Sequence, residues 1–276
     1  MFRLTANDLT VGYDKVPIIQ NLSVTIPDKQ ITSIIGSNGC GKSTLLKAIT
    51  RIIPYEDGSV LLDGSQIATM KTKDVAKKMA ILPQSPDSAS GLTVGELVSY
   101  GRFPHQSGLG RLKQADIDVI HWAMEVTAIL GFKHRTVDEL SGGQRQRVWI
   151  AMALAQETDI ILLDEPTTYL DMAHQLDILQ LLEQLNKQEG RTIIMVLHDI
   201  NQAARFSDHL LAMRSGQIIQ TGSPGEVLTK EMLRNVYEID GEIGTDPRTG
   251  KPICITYDLI KQKEQHNNEK KIHSAI

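Results

Sequence analysis

Apolar and polar residues alternate from Leu4 to Ile26, most regularly at Leu22, Val24 and Ile26. A period of two fits strands with one buried face, and turn signals at Val11-Gly12 and Pro27-Asp28 divide the stretch into an antiparallel β meander. Ile31 to Ile35 reads instead as a strand buried on both faces, and it stops at a run of glycines. An amphipathic segment carrying Leu45, Leu46 and Ile49 follows, which predicts a helix. Pro54 and Glu56-Asp57-Gly58 break the chain, Val60 to Leu62 enters a tight turn at Asp63-Gly64, Lys71 to Lys78 forms a short charged helix, and Met79 to Leu82 is another buried strand.

Helical spacing replaces the strand pattern from Ser88 to about Glu157. Thr93 and Glu96 have capping-box spacing, and the loop from Gly101 to Gly108 separates their helix from one whose apolar face carries Ile117, Ile120, Met124 and Ala128. Ser141 and Gln144 repeat the capping-box spacing before Val148, Ala151, Met152 and Ala155. Buried strands then return at Ile160–Leu163 and Arg191–Leu197, on either side of a helix that buries Ile178, Leu181, Leu182 and Leu185. A hairpin over 209–220, short helices over 224–237 and a last hairpin turning at Asp246-Pro247-Arg248-Thr249-Gly250 complete the pattern. The expected organisation is one α/β domain over residues 1–260. Residues 1–87 and 158–240 make the core with its antiparallel β subdomain, 88–157 an inserted α-helical subdomain, 241–260 a C-terminal hairpin, and 261–276 a polar, aperiodic tail.

Composition narrows the functional classes. The 276 residues are 41% hydrophobic, the net charge is −4, and the 29 Lys and Arg are scattered, which argues against a nucleic-acid partner. The longest wholly apolar run, Val148 to Ala155, has eight residues and the first 30 hold no signal-peptide core, so a cytosolic protein is expected. Two cysteines, Cys40 and Cys254, suit a reducing compartment.

The candidate chemistry sits at strand ends. Gly36-Ser37-Asn38-Gly39-Cys40-Gly41-Lys42-Ser43-Thr44 matches the phosphate-loop pattern between a strand and a helix. Its glycines let backbone N–H groups converge on an anion, Lys42 reaches the terminal phosphates, and Ser43 offers a hydroxyl to Mg²⁺. A thiol reagent at Cys40 would block this loop if the side chain were reactive. Asp164 and Glu165 end the most apolar strand; because side chains alternate, Asp164 faces Ser43 and Mg²⁺ while Glu165 points at the attacking water. His198 ends the next strand, where a role near the γ-phosphate is expected. Gly142 and Gly143, directly after a capping serine, weaken a helix by about 1 kcal/mol each, which close approach of a ligand to bare backbone would explain.

In order and spacing, the phosphate loop, Gln84, Leu140-Ser141-Gly142-Gly143-Gln144, Asp164-Glu165, Leu170-Asp171 and His198 resemble the ATP-binding cassette ATPases from about Leu4 to Tyr237. The resemblance implies a RecA-like P-loop NTPase core that takes ATP and Mg²⁺. It assigns Tyr13 to adenine stacking, Gln84 to Mg²⁺ or the attacking water, and His198 to the switch that contacts the γ-phosphate. By the same resemblance Ser141, Gly142, Gly143, Gln144 and Asp171 act on ATP held by a second subunit, in a head-to-tail homodimer. Thr168-Tyr169 stands where the family often has Ser-Ala.

The wording of Gly101-Arg102-Phe103-Pro104-His105, Thr167 to Asp171 and Leu197 to Ala203 is similar to the ATPases of bacterial iron-siderophore importers, with vitamin B12 and haem importers as near relatives. The implied partners are integral membrane permease subunits, which meet the helical lobe near Gln84 and the Gly101 to His105 loop, and indirectly a siderophore-binding lipoprotein. The implied place is peripheral, on the cytoplasmic face of the membrane. A cassette ATPase acting on ribosomes or DNA, and an exporter ATPase, share the chemistry and stay open at this point; the single cassette and the lack of sustained heptads or a basic patch speak against the first.

Overall fold

The computed structural model describes residues 3–14, 16–84, 89–106 and 111–260. The expected tail, 261–276, lies outside them, as do parts of the loops after Gln84 and Gln106. The chain begins with β1 (Leu4–Tyr13), β2 (Val16–Ile26), β3 (Ile31–Gly36), α1 (Lys42–Ile49), β4 (Asp57–Leu62), β5 (Ser65–Gln66), α2 (Thr72–Ala76) and β6 (Met79–Leu82). It continues through α3 (Val94–Ser99), α4 (Gln114–Val126) and α5 (Gly142–Ala155) to β7 (Ile160–Asp164), α6 (Met172–Glu189), β8 (Thr192–Val196) and α7 (Ile200–Phe206). After β9 (His209–Arg214) and β10 (Gln217–Gly222), short helical turns lead to β11 (Ile239–Thr245) and β12 (Pro252–Leu259). No helix among the described residues is long and apolar enough to cross a membrane.

A six-stranded sheet in the order β10-β9-β3-β8-β7-β6 forms the centre, parallel except for the β9–β10 hairpin at one edge. Every residue of β3, β7 and β8 is buried. Alternate side chains go to opposite faces. Ile161, Leu163, Ile193 and Met195 join a core with α3 to α7, whereas Ile160, Leu162, Ile194 and Val196 join one with α1 and the antiparallel sheet β2-β1-β4-β5.

Local details differ from the pattern reading where tertiary contacts overrule it. The first turn lies between Tyr13 and Val16, not at Val11-Gly12, because irregularities in the pairing let β1 bend and continue past the glycine. Asp63 and Gly64 do make the two-residue turn between β4 and β5, both with positive φ (51° and 77°), as a type I′ turn requires. On α4 the buried positions are Asp116, Ile120, Ala123 and Met124; Ile117 is exposed and Ala128 lies beyond the helix. The last hairpin starts at Ile239, so residues 239 and 240 belong to it.

The reason for a buried acid on α4 is Arg102. Its guanidinium is 5% exposed and donates from Nε to Asp116 Oδ1 at 2.9 Å, and from Nη1 to the Ala155 carbonyl and Glu157 Oε2, each at 2.9 Å. Of the 101–105 stretch, Gly101 and Arg102 therefore face inward, and Phe103 is the exposed residue, its ring 5.0 Å from that of Tyr100. Arg102→Met strands Asp116 without its cation, so urea unfolding should show a loss of about 3–5 kcal/mol; a loss below about 1 kcal/mol would mean that water already reaches this pair.

Candidate functional site

Parallel pairing brings four polar groups to one edge. β3 ends at Gly36, β6 two residues before Gln84, β7 at Asp164 and β8 two residues before His198. Since these strands run side by side in one direction, their carboxyl ends share a side of the sheet, where open α/β sheets hold ligands. A cavity of about 500 Å³ opens there, lined by Asn38, Gly39 and Gly41 to Thr44 together with Gln84, Glu165 and His198.

The loop from Gly36 to Thr44 has the backbone that the motif needs. Gly36 has φ 149°, and a Cβ there would lie 2.2 Å from the Met213 carbonyl of β9, so only glycine lets the chain leave the sheet here. Gly41, φ 105°, turns the chain into α1. Lys42 is 5% exposed and donates from Nζ to the carbonyls of Gly36 and Ser37, each at 2.9 Å, so its ammonium rests inside the curl of the loop. Cys40 is buried and lines neither this cavity nor the one beside it; burial pushes its thiol up, away from thiolate chemistry, which argues against the reactive cysteine considered from the sequence.

Ser43 and Asp164 face each other as expected, the hydroxyl donating to Oδ1 at 2.8 Å. Asp164 is only 3% exposed, and burial pushes its carboxyl above the ordinary range against the opposing effect of the Ser43 hydrogen bond. A buried carboxylate whose hydrogen bond comes from a neutral hydroxyl fits a small hard cation such as Mg²⁺, and Gln84, whose side chain carries a further hard oxygen, lines the cavity with Ser43.

Glu165 departs from ordinary backbone: its φ is 55°, a left-handed conformation that costs a non-glycine residue about 1 kcal/mol or more. Its carboxylate takes three partners. His198 Nε2 lies 2.6 Å from Oε1, while Gln84 Nε2 at 2.5 Å and Thr168 Oγ1 at 3.1 Å donate to Oε2. The three residues expected to act on water and the terminal phosphate thus meet directly, joined by Thr168.

The residues expected to serve a second subunit lie apart from the phosphate loop. Gly142 opens a neighbouring cavity of about 320 Å³ that shares Gln84, Glu165, Thr168 and Tyr169 with the first. Ser141 is exposed and caps α5, its hydroxyl accepting from the Gln144 N–H at 3.3 Å, while Gln144 Oε1 accepts from the Ser141 N–H at 3.1 Å. The two glycines have different reasons. A Cβ on Gly143 would meet the His174 ring at 2.5 Å, a contact inside the chain, whereas one on Gly142 would find only a Leu170 methyl at 3.8 Å. Asp171 caps α6, and the His174 N–H and ring hold its carboxyl below the usual range.

Tyr13 is half-exposed at the end of β1 and lines neither cavity, although Ile18 of the same hairpin does. Ile18, Thr168 and His174 were not singled out for chemistry in the sequence. The departure at Thr168-Tyr169 was the visible signal for one of them; Ile18 and His174 reach the site only through tertiary contacts.

Residues 19–168 match the family described as ABC transporter. The iron(3+)-hydroxamate import ATP-binding protein FhuC of Bacillus subtilis (strain 168) is 57% identical over 265 residues, covering 96% of this chain and 98% of the relative. The ferric enterobactin transport ATP-binding protein FepC of Escherichia coli (strain K12) is 47% identical over 253 residues, 92% of this chain and 93% of the relative. The dimeric structure of MJ0796, a bacterial ABC transporter cassette, aligns with a TM-score of 0.71 at 28% identity, covering 80% of this chain and 98% of that one. With the phosphate loop and its carboxylates assembled at the sheet edge, and near-complete relatives at this identity, the chain belongs to the ABC transporter family of ATP-binding proteins.

Proposed function

We propose that this chain is the ATP-hydrolysing subunit of a bacterial importer of Fe(III)-siderophores. The observation that carries the cargo class is the 57% identity to an iron(3+)-hydroxamate import protein across 96% of this chain. The chemistry rests on the site. Terminal phosphates entering the loop compete with the Gly36 and Ser37 carbonyls for the Lys42 ammonium, which then spreads the charge of the transferring group. Ser43, Asp164 and Gln84 would hold Mg²⁺, whose positive charge, when bound, neutralises charge developing on the last two phosphates. Glu165 polarises the attacking water, and Thr168 and Gln84 keep one of its oxygens aligned. His198, once it turns to the terminal phosphate, leaves the other oxygen free for water.

The reading of the site extends to a second copy. Ser141 to Gln144 do not line the phosphate cavity of their own chain, while Gly142 offers open backbone at the start of a fourteen-residue helix. A head-to-tail homodimer lets this helix end and Asp171 close over ATP held by the partner, while Tyr13 stacks on the adenine of the ATP held by its own chain. Permease subunits would dock on the helical lobe, where Tyr100 and Phe103 stack with 41% and 59% of their surface exposed. On this proposal the subunit sits peripherally on the cytoplasmic face of the membrane, with the siderophore-binding lipoprotein reached only through the permease.

Uptake decides the cargo. In a B. subtilis strain lacking its iron(3+)-hydroxamate import ATP-binding protein, this chain should restore accumulation of radioactive iron from a hydroxamate siderophore. Restoration of vitamin B12 or haem uptake in equivalent strains, without iron uptake, would replace the reading. Glu165→Gln should keep ATP affinity and lose about 10²–10⁴-fold in phosphate release; near-normal release would remove Glu165 as the base. Asp164→Asn separates binding from folding. A carboxyl whose folded pKa is raised opposes folding once ionised at neutral pH, so removing its charge should raise the melting temperature of the nucleotide-free chain by about 2 °C. The same variant should lose the extra stabilisation that MgATP gives over ATP with a chelator; an unchanged Mg²⁺ effect would take Asp164 out of the metal site.

A further inference from the structure

The C-terminal hairpin lies beyond the 19–168 span of the family match and grips one short helix at both ends. Helix α7 starts directly after His198, with Asp199 as its cap accepting from the Gln202 N–H at 2.9 Å. Seven residues form a helix that is marginal without outside support. Near its start, Asn201 pairs with β12 as a neighbouring strand would: Nδ2 donates to the Cys254 carbonyl at 3.0 Å and Oδ1 accepts from the Cys254 N–H at 2.8 Å. Two bonds in opposite senses fix the plane of the amide as well as its position. At the far end, Lys251 Nζ donates to the carbonyls of Arg205 at 2.8 Å and Ser207 at 2.7 Å, groups that a helix end leaves without an internal partner.

His198 needs such support. Its side chain is 43% exposed and lies 2.6 Å from Glu165. On the other side a cavity of about 350 Å³ separates it from Tyr237, Cys254 and Tyr257 of the C-terminal segment, so the imidazole is not packed in place there. Apart from the Glu165 contact, its position then follows from its backbone, which α7 anchors. We propose that the C-terminal hairpin is a clamp that sets His198 at the phosphate edge, with Asn201 and Lys251 as positioning residues for hydrolysis. The inference rests on the reading that His198 acts on the terminal phosphate.

Steady-state hydrolysis by the full chain tests it with Asn201→Ala, Lys251→Met, Lys251→Arg, His198→Ala and the pair Asn201→Ala with His198→Ala. Loosening the clamp should lower kcat about tenfold in Asn201→Ala and Lys251→Met and leave KM for ATP within about twofold, since the phosphate loop is untouched. Lys251→Arg should recover most of the rate. In the His198→Ala background, Asn201→Ala should cost less than about twofold more, because both losses act through one imidazole. Wild-type kcat in Asn201→Ala and Lys251→Met beside a slow His198→Ala withdraws the clamp alone. Losses that multiply, or KM rising with the fall in kcat, also withdraw it. Normal turnover in His198→Ala withdraws the role of His198 and the clamp together. If Asn201→Ala does not fold, Lys251→Met, alone and paired with His198→Ala, carries the same comparison.

Discussion

Burial of the parallel sheet on both faces is the constraint from which the site follows. All residues of β3, β7 and β8 are enclosed, and their alternate side chains feed two separate cores. Such strands have little room for charge along their length. Polar chemistry is pushed to their ends, and parallel pairing lines those ends up on one edge. Gly36, Gln84, Asp164 and His198 are far apart in the chain and share an edge for this reason alone.

What could be read from the sequence was whatever local rules decide. The phosphate loop is legible because tight backbone curvature demands glycine at Gly36 and Gly41, wherever the rest of the chain goes. The helix starts at Thr93 and Ser141 are legible because a cap and its partner lie three residues apart. The Asp63-Gly64 turn is legible because both positions need positive φ. On α4 periodicity found Ile120 and Met124 and missed the first turn, where Ile117 is exposed and Asp116 is buried against Arg102 and the Lys113 N–H. It also failed to explain Gly143, whose need comes from His174 on another helix. Asn201 against Cys254 has no sequence signal at all, since 53 residues separate the two and an asparagine after a helix cap looks like surface.

Glu165 is where separate parts of the molecule meet. Gln84 arrives from the end of β6, next to the helical lobe, Thr168 from the turn before α6, and His198 from the end of β8, ahead of the clamped α7. Hydrogen bonds to a charged group are worth about 1.5–3 kcal/mol each, so the two from Gln84 and Thr168, with the His198 ring against the other oxygen, compete with water for this carboxylate. If Glu165 is the base, as proposed, that arrangement would hold it back until a competing charge draws a partner away. On the proposed role of His198, a terminal phosphate beside it would be such a competitor and would tie activation of Glu165 to arrival of the substrate.

The same geometry is the physical ground for the proposed head-to-tail dimer. The phosphate loop, Gln84, Glu165 and His198 line the cavity, and Tyr169 at its wall is 91% exposed with φ 65°. Water in such a cavity screens the charges on which phosphoryl transfer depends. Excluding it takes a surface with free N–H donors, shaped to approach phosphate closely. Gly142, where an added Cβ would touch only a Leu170 methyl at 3.8 Å and a helix N-terminus lies behind it, would be such a surface, yet it lies outside its own phosphate cavity. On the proposed head-to-tail dimer, the glycine that weakens α5 within one chain gains its physical reason against the nucleotide of another.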